Sequence, residues 1–433
     1  MPDTPLPAPR RLTTPDRDEL AARHRRHDRR TVIWLALEVA AAVGCLVWVR
    51  AGGGPSATVE TAVLVGVAVI GLFDALPWLW AASRTRLRDL RPEARFGVHS
   101  RDSLLACVDR VRARLGIPGE CPVSLVRDKD INAHAVPLSL LPGIGSLAEV
   151  RLNRSILHLF DEPELESVIG HEFGHVFAFA PLAGRCLFVH AAFAAALTLA
   201  IAHVLAGSEV RFGAPLLALW PARWLAFSTT LTRARATEFL CDDYGAAAAG
   251  TGPAMRAELK IALETEARAT LVEQVLEARL RGGDVALPTL LAAYEAALPF
   301  GTVTPRETEA TLRGELERLR RDAEGFSLGG LWRHLFSGDD VDEDSLRGSV
   351  ASGRACRAVA RVTVRPQDVL AGKTTLASCV AAIEAEPTRV LFHLPDEIDD
   401  SDSSHPNCSR RLLFLWRSRD AAAETTGART AAS

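Results

Sequence analysis

The chain has 433 residues, 48% of them hydrophobic and 24% charged, enough for a substantial core and a length that suggests two or three domain-sized units; wholesale disorder is excluded. With 50 basic against 53 acidic side chains and a formal charge of −3, nothing in the overall balance points to a nucleic-acid binder. All the basic residues except Lys129, Lys260 and Lys373 are arginine, which beside the abundant alanine reads as coding bias. The eight cysteines include no CxxC pair, so neither a disulfide framework nor a thiolate zinc knuckle is suggested, and a reducing compartment is the default.

Two apolar runs come first, Thr31 to Val49 (TVIWLALEVAAAVGCLVWV) and Thr61 to Ala82 (TAVLVGVAVIGLFDALPWLWAA). Each is about 20 residues, or about 30 Å of helix, enough to cross a bilayer. They are expected to form a transmembrane hairpin, with Glu38 and Asp74 turned toward partner helices or an interface, because a lipid-facing carboxylate is costly. The 30 residues ahead of the first run and the length of its apolar stretch argue against a cleavable signal peptide. A third run, Cys186 to Ala206, is of similar length, and a weaker fourth, Phe212 to Leu231, is interrupted by Pro221 and Arg223. Eight arginines lie in the first 30 residues, and Arg84, Arg86, Arg88, Arg91 and Arg95 follow the second run, whereas the proposed outer loops carry only Arg50 and Arg211. The asymmetry puts the N-terminus, Ser83 to Arg185 and the chain after Thr232 in the cytoplasm.

At His171 the chain reads HEFGH, inside LESVIGHEFGHVFAF, where Leu165, Val168, Ile169, Phe173, Val176 and Phe177 recur at helical spacing. Residues four apart share a helix face, so His171 and His175 can offer imidazole nitrogens to one tetrahedral ion. Glu172 then projects beside the ion, where it can take a proton from a bound water. Chance would place about 0.02 such motifs in a chain of this composition; the competing reading is a helix whose histidines are satisfied by core carbonyls.

Downstream, ARATEFLCDDYGAAAAG sets Glu238 and Asp242 four apart on a second helix. Such a pair can supply a carboxylate ligand from Glu238, and from Asp242 an acceptor that fixes the tautomer of one histidine ring. Read alone, Glu-x-x-x-Asp is usually an exposed acidic face; the apolar flanks Phe239, Leu240 and Tyr244 and the position after HEFGH favour a site. A membrane hairpin of Cys186 to Ala206 and Phe212 to Leu231 would return both helices to one side of the bilayer.

With these motifs in place, the chain resembles the HtpX-like and CAAX-prenyl type membrane zinc metallopeptidases, gluzincins that join HExxH to ExxxD between membrane hairpins. The likeness takes in Asn132, Ala133, His134 and Ala135 of NAHAVP, similar to the family's Asn-Ala-x-Ala edge strand along the substrate cleft, and HPNCSRRL at His405 to Leu412. The resemblance implies one Zn2+ per chain held by His171, His175 and Glu238, Glu172 as base and Asp242 in support. It also implies substrate pairing along Asn132 to Ala135, and His405 stabilising the oxyanion with Arg411 bracing it. Cys241 stands where the family usually has Ala, and His405 falls unusually far from the third ligand.

Of the remainder, Pro253 to about Ala323 reads as a solvated helical bundle, with LVEQVLEARL and LRGELERLRR in helical phase. GFSLGGLW and DDVDEDS read as linkers, AVARVTV and TRVLFHL as short strands, and DEIDDSDSS as a solvated loop without calcium-loop spacing. AGKTT around Lys373 is no phosphate loop, because Gln367 stands where the first glycine is required.

The expected fold is mainly α, with multi-pass membrane helices and a cytoplasmic zincin-like catalytic domain containing a small edge-strand sheet. Its units are a basic tail over 1–30, a membrane hairpin over 31–82, the HExxH half of the catalytic domain over 83–185, a second hairpin over 186–231, the ExxxD half over 232–325 and a C-terminal region over 326–433. The expected activity is hydrolysis of polypeptides at a membrane, in quality control of membrane proteins, with a lipidated C-terminus as alternative substrate, the bilayer as partner and no nucleic acid. A signalling receptor of the BlaR/MecR type and a non-catalytic zinc-bearing scaffold are the alternatives; the first needs a further span, and between Ala246 and Ser433 no apolar run approaches that length.

Overall fold

A computed structural model describes residues 16–52, 85–117, 121–126, 132–138, 147–179, 187–205, 236–280, 286–297, 366–385 and 408–418. The second and fourth apolar runs, the linkers, the two strand candidates, LRGELERLRR, the DEIDDSDSS loop and His405 lie outside the described residues. Within them the chain is mainly helical with a small sheet.

Helix α1 (Arg17–Ala51) is one unbroken helix capped by Asp16, so part of the expected basic tail is helical and continuous with the first apolar run. Its buried residues, Leu20, His24, Thr31, Glu38, Ala42 and Val49, are spaced by four and seven, a single stripe along the helix. Among the described residues it is the one helix long and apolar enough to cross a membrane, and outside the stripe Val32, Ile33, Trp34, Leu37, Val43 and Val47 are exposed.

Four short strands form the main sheet: β1 (Thr85–Arg86), β4 (Val123–Val126), β5 (Ala133–Leu138) and β6 (Leu147–Asn153), in the order β1-β4-β6-β5. A separate hairpin joins β2 (Arg95–Phe96) to β3 (His99–Ser100). β4 is parallel to β6 and β5 antiparallel to it, pairing Ala133 with Leu152 and Ala135 with Val150, which leaves β5 at the edge. Alternation sends Val123, Leu125, Val150 and Leu152 to one face. There they meet helix α2 (Arg101–Leu115) and helix α3 (Glu162–Phe173) through Leu104, Val111, Leu165, Ile169 and Phe173. Ser124, Glu149 and Arg151 go to the other face, where Glu149 accepts from the Ser124 hydroxyl and, at 3.1 Å, from Arg151 Nε.

The N-terminal turn of α3 is fixed by charge. Asp161 and Glu164 form a reciprocal capping box. Glu166 then accepts from Arg110 (2.6 Å) and Arg114 of α2. Glu164 accepts from Lys260 (2.6 Å) and Arg256 (3.3 Å) of helix α6 (Thr251–Leu280). Beyond Phe173 the helix loosens into a π turn, Gly174–Ala178, which carries His175.

Helix α5 (236–249) crosses α3 at very short range. A Cβ at Gly170 would lie 2.7 Å from Ala248 Cβ, one at Gly174 2.9 Å from Cys241 Sγ, and one at Gly245 2.6 Å from the Ser167 carbonyl oxygen. Cys241, larger than the alanine expected there, fits because Gly174 faces it. The first half of α6 is not the solvated helix expected from its charges: Met255, Leu259, Leu263 and Ala267 are buried, together with Glu258, Lys260 and Glu264. Its apolar side packs against helix α8 (Leu376–Ala385) and helix α9 (408–418) through Cys379, Val380, Ile383, Leu412 and Leu415, while helix α7 (Leu287–Ala297) returns along it and bonds Tyr294 to Glu264 at 3.1 Å.

Helix α4 (Leu187–Val204) lies along α1. The two run in the same direction: the start of α1 meets Phe179, just ahead of α4, while Trp48 near its end packs edge-on to His203 at 5.3 Å.

Gly245→Ala is expected to destabilise the fold by about 1–3 kcal/mol through overpacking against backbone, read as a lower thermal unfolding midpoint of the purified protein. Gly44→Ala, where nothing lies within 4 Å, should leave the midpoint unchanged or slightly raised.

Candidate active site

The glycine crossing brings the second half of α3 and the first half of α5 together. His171 Nε2 lies 3.4 Å from Glu238 Oε2, His175 Nε2 3.3 Å from Glu238 Oε1, and the two Nε2 atoms face each other at 3.1 Å. One donor atom from each of these residues lies within 4.8 Å of the others, a group that could hold a metal ion. Two neutral imidazoles and a carboxylate are the donor set suited to a tetrahedral divalent ion with one position left over.

Asp242 sits one helical turn beyond Glu238 and is 4% exposed. His171 Nδ1–H donates to Asp242 Oδ1 at 2.9 Å, which turns Nε2 of the same ring toward His175 and Glu238. Asp242 in turn receives both arms of Arg411 from α9, Nε at 2.8 Å and Nη2 more closely still, the bidentate fork that a guanidinium offers a carboxylate. Arg411 Nη2 also lies 2.9 Å from Glu258 Oε1 of α6. Burial alone would raise Asp242, but Arg411, and then His171, bring it below the usual carboxylate range. Glu258 behaves oppositely, since burial pushes it up to about 7 against the pull of Arg411.

In the metal-free chain burial opposes a charge on His171, yet the bonds to Asp242 and Glu238 outweigh it and raise the ring to about 10. A cation bonded to Nε2 would take the place of a proton there.

Glu172 is buried, at 6% exposure; among the described residues no donor reaches its carboxylate. Asn132 stands at the start of β5, where its carbonyl accepts from the Asn153 N–H at 3.1 Å. Ala133, His134 and Ala135 lie in the edge strand, which packs along α3 and the π turn. Arg411, expected as the brace of His405, which lies outside the described residues, bonds Asp242 and Glu258.

Two features went unread in the sequence. Glu258 looked like one more charge on a solvated helix; the signal was its place beside the apolar stripe Ala254, Met255, Leu259 and Leu263. The close crossing was signalled by Gly170 and Gly174, four apart on one face of the histidine helix.

An HExxH helix crossed by a carboxylate helix that completes a possible metal centre defines a metallopeptidase. The family model of peptidase family M48 matches residues 99–418, and the chain belongs to that family, which contains HtpX and related membrane zinc metallopeptidases. Compared with curated proteins and with solved structures, the chain gives no match in either.

Because a bound cation must displace the His171 proton, loading the purified metal-free protein at pH 8 should release about one proton. Titration calorimetry in buffers of different ionisation enthalpy reads this as a buffer-dependent heat; equal heats in all buffers would contradict it.

Proposed function

We propose that the protein is a membrane-bound zinc endopeptidase that hydrolyses peptide bonds with Glu172 as general base. The observation that carries the reading is the convergence of His171, His175 and Glu238 donor atoms within 4.8 Å, supported by membership of peptidase family M48. His171, His175 and Glu238 would hold one zinc ion, which when bound acidifies water and polarises the scissile carbonyl. With three protein ligands one coordination position stays available to water and substrate, whereas a purely structural site is usually closed by a fourth protein ligand.

The chain's own side chains supply the rest. Glu172 takes the proton of the attacking water and delivers it to the departing amine. Asp242, held ionised by Arg411, keeps His171 in the tautomer that leaves Nε2 free to ligate. The edge strand β5, from Asn132 through Ala135, pairs with the backbone of an extended polypeptide, and His405 donates to the oxyanion.

A multi-pass arrangement with the catalytic residues in the cytoplasm accords with the arginine distribution and with the shared direction of α1 and α4. The packing of α9 onto α6 speaks for a C-terminal region that belongs to the catalytic unit over one leading to an external sensor. Quality control of membrane proteins is the role we assign.

Glu172→Gln is expected to lower casein hydrolysis by about 10²–10⁴-fold while zinc content, measured by plasma emission, stays at the wild-type level. Full hydrolysis by that variant would remove Glu172 from the mechanism.

A further inference from the structure

We propose that four arginines of α1 bind the phosphate headgroups of anionic phospholipids, and that this contact steadies α1 on the helix that carries Glu238. The proposal rests on the reading above that α1 crosses the bilayer.

Arg25, Arg26, Arg29 and Arg30 are all exposed on the side of α1 away from its buried stripe. Among the described residues none of the four has a carboxylate partner, unlike Arg17, paired with Asp243, and Arg23, paired with Glu19. Immediately after Arg30 the outward side changes character: Val32, Ile33, Trp34, Leu37, Val39, Val43 and Val47 are exposed and apolar. A helix whose outward face passes from unpaired arginine to hydrocarbon at one point matches the boundary between headgroups and acyl chains, and Trp34 stands at the level where indoles collect. The continuity with the apolar face selects the partner. A nucleic acid could neutralise the arginines, but only a lipid leaflet covers both surfaces at once. Each basic side chain held against an anionic leaflet strengthens attachment roughly fivefold.

The other end of the same rigid element touches the site. Arg17 lies 2.6 Å from Asp243. Leu20 packs among Ala236, Phe239, Leu240 and Phe414. His24 Nδ1 is 3.4 Å from the Thr237 hydroxyl, and its ring stands edge-on to Phe179 at 5.4 Å between centroids. Thr237 and Phe239 flank Glu238 in sequence, and Phe179 closes the π turn that carries His175. From His24 to Arg30 the helix rises only about 9 Å, so a change in how the arginines sit at the membrane surface is delivered to both halves of the site.

The test uses the full chain reconstituted into phosphatidylcholine vesicles with or without phosphatidylglycerol, read by amide hydrogen exchange over 236–249 and by peptide hydrolysis. The expected result is several-fold slower exchange and several-fold faster hydrolysis when phosphatidylglycerol is present, with both responses suppressed by high salt. Replacing Arg25, Arg26, Arg29 and Arg30 by Gln should remove the response, and replacing them by Lys should keep it. A wild-type protein that resists alkaline carbonate extraction yet ignores phosphatidylglycerol overturns this proposal alone, as does a Gln variant that still responds. Release of the wild-type protein by carbonate overturns the membrane reading, and this proposal with it.

Discussion

Helices α3 and α5 approach so closely that side chains are excluded from three points of their crossing, and the candidate site is a consequence of that approach. At Gly170, Gly174 and Gly245 an added Cβ would meet Ala248, Cys241 or the Ser167 carbonyl at 2.6 to 2.9 Å, where no real side chain fits. A carboxylate on α5 can therefore reach His171 on α3 and His175 in the π turn that follows it, although 62 residues intervene between His175 and Glu238. Had the crossing been built on leucines, the helix axes would stand farther apart, and Glu238 would fall short of both rings.

Such an approach concentrates charge in a buried place, and the surrounding elements compensate it. Glu238 and Asp242 are 5% and 4% exposed, a situation that is costly unless each carboxylate is paired and hydrogen-bonded. Asp242 is satisfied by His171 from α3 and Arg411 from α9, so α3, α5, α6 and α9 are tied through one carboxylate and one guanidinium. At the other end of α3, Glu164 and Glu166 tie the same helix to α2 and α6. The HExxH helix is thus pinned at both ends, while the segment that carries His175, the π turn, is the least regular part of it.

The sequence was most readable where chemistry demands a local pattern. His171, Glu172 and His175, and then Glu238 and Asp242, declare themselves because residues four apart on a helix share a face and because apolar residues frame them. The edge position of β5 came from the likeness of NAHAVP to a family segment, and the structure places Ala133–Leu138 at the edge of the sheet. What could not be read was long-range. Nothing local says that α9 folds back onto Asp242, so the bonds of Arg411 to Asp242 and Glu258 were not legible. The early start of α1 at Arg17 was hidden among arginines, since only Leu20 and His24 mark its buried side there. Glu258 and Lys260 looked solvated because charge usually means water, and only tertiary contacts make them interior, Glu258 with Arg411 of α9 and Lys260 with Glu164 of α3.

These elements make a helix ending in one bilayer-compatible run, docked by its polar start on the very helix that bears Glu238, and a small sheet whose edge strand among the described residues lies along the histidine helix. The account turns on Glu238 sharing one cation with His171 and His175. The most direct measurement is an anomalous-difference map of zinc-loaded crystals at the zinc edge. A single peak about 2.0–2.2 Å from Nε2 of both histidines and from a Glu238 carboxylate oxygen is the predicted result. A peak that the Glu238 carboxylate does not touch, or one ligated by the Cys241 sulfur, would contradict it.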